Sequence, residues 1–299
     1  MTARKKKKNK GYYRLPVFIC SLVVFILGAV AFALSDGKTE QADMPIPVEQ
    51  SPVVEVPVNA PEATPESVDV RYEIPTISDS RSQQIIEHVG YTVSYNHNWH
   101  LPNWVAYELT PSEVYGEYSR TAKFLPDPLV NGDPVVTKDY SGSGYDRGHM
   151  APAADMRWSE QAMKESFYMT NMCPQNHNNN AGDWKDLEEL VRDIAHKYGS
   201  TYICAGPIVT DVNNTIGSIR KIVVPSAFYK VLLRQKKDGS WTAIGFVMPN
   251  AAGNRPLMSY MHSVDEIESA TGIDFFYNLD DSVEETVEKD FNISDWTVK

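Results

Sequence analysis

From Pro16 to Leu34 the chain runs PVFICSLVVFILGAVAFAL without a charged side chain. No other stretch limits the architecture as much, because it divides the chain before any core forms. As a helix this run would be roughly 28 Å long at about 1.5 Å per residue, close to the hydrocarbon thickness of a bilayer. Residues 1–15 hold Arg4, Lys5, Lys6, Lys7, Lys8, Lys10 and Arg14 and no acid, and a basic flank of this kind stays cytoplasmic. Residues 16–34 are therefore expected to be a transmembrane anchor. The N-terminus would be cytoplasmic and the rest of the chain exported, to the periplasm or the extracellular space. The competing assignment is a secretory signal peptide, with Ala31-Phe32-Ala33 as an A-x-A cleavage site.

Residues 35–80 form a second constraint. Pro45, Pro47, Pro52, Pro57, Pro61, Pro65 and Pro75 are interspersed with ten acids and only two bases. Such composition buries little and is expected to be an extended, disordered linker. The folded domain is then left to residues 81–280, followed by an acidic tail over 281–299. Residues 264–299 carry eleven acids against two bases, whereas residues 81–263 hold 17 bases and 18 acids. A broad basic clamp for nucleic acid is excluded by this balance. A polyanionic substrate would have to be held locally, by a few arginines and a metal ion.

Within the domain the patterning alternates between strand and helix periods. Gln84–Val89 reads as a short helix. Tyr91–Tyr95 and Asn103–Thr110 read as strands, Ser159–Ser166 as a helix, and Phe167–Cys173 as a strand stopped by Pro174. A polar loop over Gln175–Trp184 enters a helix from Asp183 to Tyr198, whose stripe is Leu187, Leu190, Val191, Ile194 and Tyr198. Thr201–Ile208, Arg220–Pro225, Ala227–Gln235 and Trp241–Met248 read as strands, the last two joined through Lys237-Asp238-Gly239. A capping box at Ser263–Glu266 opens a helix that Gly272 closes.

The chemistry concentrates in Asp146-Arg147-Gly148-His149-Met150-Ala151-Pro152-Ala153-Ala154-Asp155-Met156. Gly148 would give the backbone freedom that aims His149 into a cleft. An imidazole titrates near neutrality and can take a proton from water. The plainer account is a buried histidine paired with Asp146. Downstream, Glu188 and Arg192 lie four residues apart on one helix edge, and Asn180 stands at or just before that helix's start. The three can face one cleft; the plainer account is a surface ion pair with Asn180 as an N-cap. One base, one amide ligand, one carboxylate and two or three arginines suit phosphodiester hydrolysis with a hydrated divalent metal. His177 reads as a solvated loop residue, and His196 and His262 have no evident partners. Cys20 lies in the apolar run, while Cys173 and Cys204 on core strands could pair or remain two buried thiols.

These residues resemble the DNA/RNA non-specific endonuclease family, the ββα-metal nucleases of the endonuclease G and Serratia nuclease type. The resemblance covers about residues 85–280. It rests on the Asp146-Arg147-Gly148-His149 signature, on Asn171-Met172-Cys173-Pro174-Gln175, and on Asn180-x-x-x-Trp184-x-x-Leu187-Glu188. It implies an α+β fold around a central antiparallel sheet flanked by helices, DNA and RNA as substrates, 5′-phosphate products, and Mg²⁺ with Mn²⁺ as a substitute. It further implies His149 as general base, Asn180 as metal ligand and Glu188 holding metal-bound water. Arg192 and Arg120 would contact phosphate, with Asp146, Arg147 and Trp184 in support. Two other functions fit the same residues: a tethered module that binds nucleic acid without cutting it, and a metal-dependent phosphodiesterase of small substrates.

Overall fold

A computed structural model describes residues 70–120 and 123–298. The apolar run at 16–34 and most of the expected linker lie outside the described residues. Among the described residues no helix is long and apolar enough to cross a membrane.

In chain order the main elements are β1 (Gln84–Glu87), β2 (Thr92–Asn96), β3 (Leu101–Leu109), β4 (Asp146–His149), α1 (Glu160–Glu165), β5 (Met172–Gln175), α2 (His177–Asn180) and α3 (Asp183–Tyr198). They continue with β6 (Thr201–Ile208), β7 (Ala227–Gln235), β8 (Trp241–Pro249), β9 (Met261–His262), α4 (Val264–Thr271) and α5 (Asp281–Lys289). Seven strands form one antiparallel sheet in the order β9-β8-β7-β6-β3-β2-β1. The expected central antiparallel sheet is thus present.

Period-two alternation explains how this sheet carries two cores. In β3, Val105 and Tyr107 enter one core while Trp104 and Ala106 enter the other. In β6, Ile203 and Ala205 share the first core and Cys204 the second. β7 repeats the division, with Phe228 and Leu232 on the first side and Tyr229, Val231 and Leu233 on the second. The first core is closed by α3 through Trp184, Leu187, Val191 and Ile194. The second is closed by α4 and α5 through Val264, Ile267 and Val287. Each such buried side chain contributes about 1.5–3 kcal/mol of transfer free energy.

Several local expectations change. Gln84–Glu87 is an edge strand rather than a helix, because β2 offers it an antiparallel ladder that an isolated short helix lacks. Phe167–Cys173 is interrupted by a 3₁₀ turn at Met169–Asn171. The strand begins only at Met172 and passes through Pro174, which sits opposite Arg147; a two-stranded ribbon tolerates a residue with no N–H to donate. Arg220–Pro225 contributes only Ile222–Val223, paired with Thr215–Ile216 outside the main sheet. Gly148 lies in extended β4, and its need is steric: an added Cβ would sit 2.7 Å from Gln175 Cβ.

The packed body also exceeds the expected 81–280 span at both ends. Thr76–Ile77 pairs with Ile273–Asp274, and Glu73 is buried. The tail folds as α5 followed by a turn that buries Trp296 against the Arg234 guanidinium. Cys173 and Cys204 are free and buried.

The segment after β4 is held by Asn171. Its Oδ1 accepts from Ala151 N at 2.9 Å, and its Nδ2 donates to the Ala151 and Ser166 carbonyls, both at 2.8 Å. Truncation strands these buried groups without partners. Asn171→Ala is expected to lower stability by about 3 kcal/mol in urea unfolding; a loss under about 0.5 kcal/mol would contradict this role.

Candidate active site

His149 is the last residue of β4, which pairs with β5 through Asp146↔Gln175, Arg147↔Pro174, Gly148↔Cys173 and His149↔Met172. Its backbone carbonyl accepts from Trp184 Nε1 at 3.2 Å, so the ribbon is fastened to the first turn of α3. The imidazole packs between Phe124 and Phe167, with ring centroids 5.7 and 5.0 Å away. It is 7% exposed, and its Nε2 has no hydrogen-bond partner. Burial, reinforced by the Arg120 guanidinium, pushes its pKa down to about 3. The ring is therefore neutral at physiological pH, the form that accepts a proton. The His149–Asp146 pair is not formed.

Asp146 instead serves the amide. Its Oδ2 accepts from Asn180 Nδ2 at 2.9 Å and meets His177 Nδ1 at 2.9 Å. With its nitrogen engaged, Asn180 presents its Oδ1 as the remaining ligand atom. Asn180 closes α2 rather than capping α3, whose N-cap is Gly182. His177 is thus a partner of Asp146 as well as a solvated residue. Of the other two histidines, His262 pairs with Glu266 at 2.9 Å and His196 packs edge-on against Tyr115.

Glu188 follows Trp184 by one turn of α3 and is half-buried. Burial raises its carboxyl to about 7, against the opposing pull of the Lys230 ammonium. Arg192, one turn further, donates from Nη1 to Asp155 Oδ1 at 2.9 Å. The other Asp155 oxygen accepts from Tyr107 OH at 2.8 Å. Arg120 lies on an exposed loop with its guanidinium carbon 5.2 Å from the Phe167 ring centroid. That loop is tied down where Leu125 N donates to Phe167 O and Met169 N donates to Leu125 O, at 3.1 and 2.9 Å. Arg147 points into the fold: it donates to Thr137 O at 3.0 Å and stacks on Phe124 and Tyr140.

His149, Asn180, Glu188, Arg192, Arg120, Asp146 and Arg147 line one cleft of about 380 Å³. Trp184 lies beneath it, 1% exposed. All the residues singled out by sequence are therefore brought together. Glu188 forms no ion pair among the described residues, and the Asn180 amide oxygen is turned away from Asp146. These donors fit an oxygen-seeking divalent ion that keeps most of its own waters.

Two contributors escaped the sequence reading. Asp155 was visible only as part of the signature run, yet it is 1% exposed and sets the position of Arg192. Lys230 is fully buried in β7, donating to Met150 O at 3.3 Å with its ammonium 4.9 Å from the Trp184 ring. A lysine flanked by Ala227-Phe228-Tyr229 and Val231-Leu232-Leu233 was the available signal, since lysine is almost never fully buried without a partner.

Comparison with known proteins agrees with this geometry. A family model described as DNA/RNA non-specific endonuclease matches residues 72–282. The mitochondrial nuclease EXOG of Danio rerio is 38% identical over 207 residues, covering 63% of this chain and 60% of its own length. Mitochondrial endonuclease G of Bos taurus is 31% identical over 222 residues, 70% of this chain and 73% of its own. Nuclease C1 of Cunninghamella echinulata var. echinulata is 32% identical over 217 residues, 67% of this chain and 85% of its own. A crystal structure of the EndoG/EndoGI complex superposes with a TM-score of 0.63 at 27% identity, over 71% of this chain and 91% of the matched one. With a family match spanning well over half its residues, this chain belongs to the DNA/RNA non-specific endonuclease family.

Proposed function

We propose that this protein is a Mg²⁺-dependent, sequence-non-specific endonuclease that hydrolyses phosphodiester bonds of DNA and RNA. The observation that carries the reading is that a neutral His149 and the oriented amide of Asn180 line the same open cleft. His149 takes a proton from water as the water oxygen bonds to phosphorus. The P–O3′ bond breaks, O3′ is protonated from solvent, and the 5′ side keeps the phosphate. Arg192, braced by Asp155, and Arg120 face the negative charge that grows on the phosphoryl oxygens. Asn180 would hold the metal and Glu188 its waters. A bound Mg²⁺, or Mn²⁺ in its place, would offset charge on the leaving oxygen. We further propose that residues 16–34 anchor the chain in a membrane, with the N-terminus cytoplasmic and the nuclease body on the periplasmic or extracellular side.

Incubating the chain with plasmid and with RNA should give cleavage with Mg²⁺ and none with EDTA. His149→Ala is expected to slow cleavage by about 10²–10⁴-fold while the far-ultraviolet spectrum is retained. Near-parent activity in that variant would sink the assignment of the base. For Asn180→Ala the expected change is a higher Mg²⁺ concentration at half-maximal rate, and an unaltered titration curve would remove Asn180 from the metal site. The membrane proposal predicts that the nuclease body sediments with membranes and is digested by protease added to spheroplasts with an intact inner membrane; a protected or soluble product would refute it.

A further inference from the structure

The sheet face away from the cleft carries a second group of donors. Asp265 and Glu268 are three residues apart on α4 and share one helix face. Glu288 reaches them from α5. One carboxylate oxygen from each of the three lies within 4.8 Å of the other two. Among the described residues none of the three forms an ion pair with a lysine, arginine or histidine.

An independent feature separates this cluster from an ordinary acidic surface. Glu288 is only 5% exposed, and its Oε1 is buried with no hydrogen-bond partner. A buried carboxylate lacking both a donor and a counter-charge is costly. Glu268 already accepts from Phe275 N at 2.7 Å through Oε1, which fixes its carboxylate beside the group. Asp274 and Glu284 stand nearby and add like charge. The cluster is short of positive charge, and the aperture between its oxygens is ion-sized.

We infer that Asp265, Glu268 and Glu288 hold a divalent cation, calcium by preference, which clamps α4 to α5. Carboxylate-only donors select hard cations over zinc or copper. Three side-chain carboxylates in an irregular arrangement suit Ca²⁺, which accepts flexible oxygen coordination, whereas Mg²⁺ demands near-octahedral geometry and retains most of its waters. The family match ends at residue 282, so Glu288 lies beyond it. The site is independent of the nuclease reading, because its ligands are on the other face of the sheet from His149 and Asn180.

The test uses the full chain carrying Asn180→Ala, so that ion binding in the cleft is weakened, and follows thermal unfolding with and without CaCl₂. At about 10 mM Ca²⁺ a site with Kd near 10⁻⁴ M should raise Tm by roughly 5 °C. Adding Glu288→Gln, or separately Asp265→Asn, should abolish that rise while leaving the calcium-free Tm unchanged or higher, since each removes repulsion. Asp265 is exposed, so its variant carries the test if Glu288→Gln fails to fold. No rise in the Asn180→Ala chain, or a rise that survives Asp265→Asn, would overturn the assignment.

Discussion

The hydrogen bond from the Trp184 indole to the His149 carbonyl is the joint on which the cleft is built. It fastens the two-stranded ribbon that ends in His149 to the helix that carries Glu188 and Arg192. The indole is buried, so its N–H has no water to turn to and the bond is kept. Its face lies against the Lys230 ammonium and its edge against Phe228, both from the main sheet. Ribbon, helix and sheet therefore meet at one side chain.

Around that joint, charge is arranged in alternation. Lys230 stands behind Glu188 and Asp155, and Asp155 in turn holds Arg192. In a medium of low polarizability each of these groups would be costly alone, and their proximity is what makes the burial tolerable. His149 is set apart from the network: it has aromatic walls and no acid partner. The same fold thus keeps the His149 imidazole uncharged and Arg192 fixed within one cavity. Asp146, although only three residues before His149, is committed to orienting Asn180.

Much of this was legible in the residues. Long, strongly periodic segments such as Asp183–Tyr198 and Ala227–Gln235 occur as expected, because packing and period agree there. The cleft residues were legible because their chemistry is unusual at that spacing. What the sequence concealed was pairing between distant segments. Gln84–Glu87 took its strand form from β2, and the ribbon of Asp146–His149 with Met172–Gln175 depends on a partner 23 residues away at its nearest pair, His149 with Met172. The short helix His177–Asn180 hid in a polar run with no apolar stripe. The acidic end of the chain hid its order because Val287 and Trp296, rather than its charges, decide where it docks.

The pairing of Thr76–Ile77 with Ile273–Asp274 also bears on how the body responds to load. Tension arriving along the N-terminal residues would load Arg71, tied to Glu87 and Thr92, and then this small ribbon, on the far side of the sheet from the cleft. The ribbon would peel before β4, β5 or α3 felt the pull. It would therefore act as a mechanical fuse, giving way under strain while the residues lining the cleft keep their spacing.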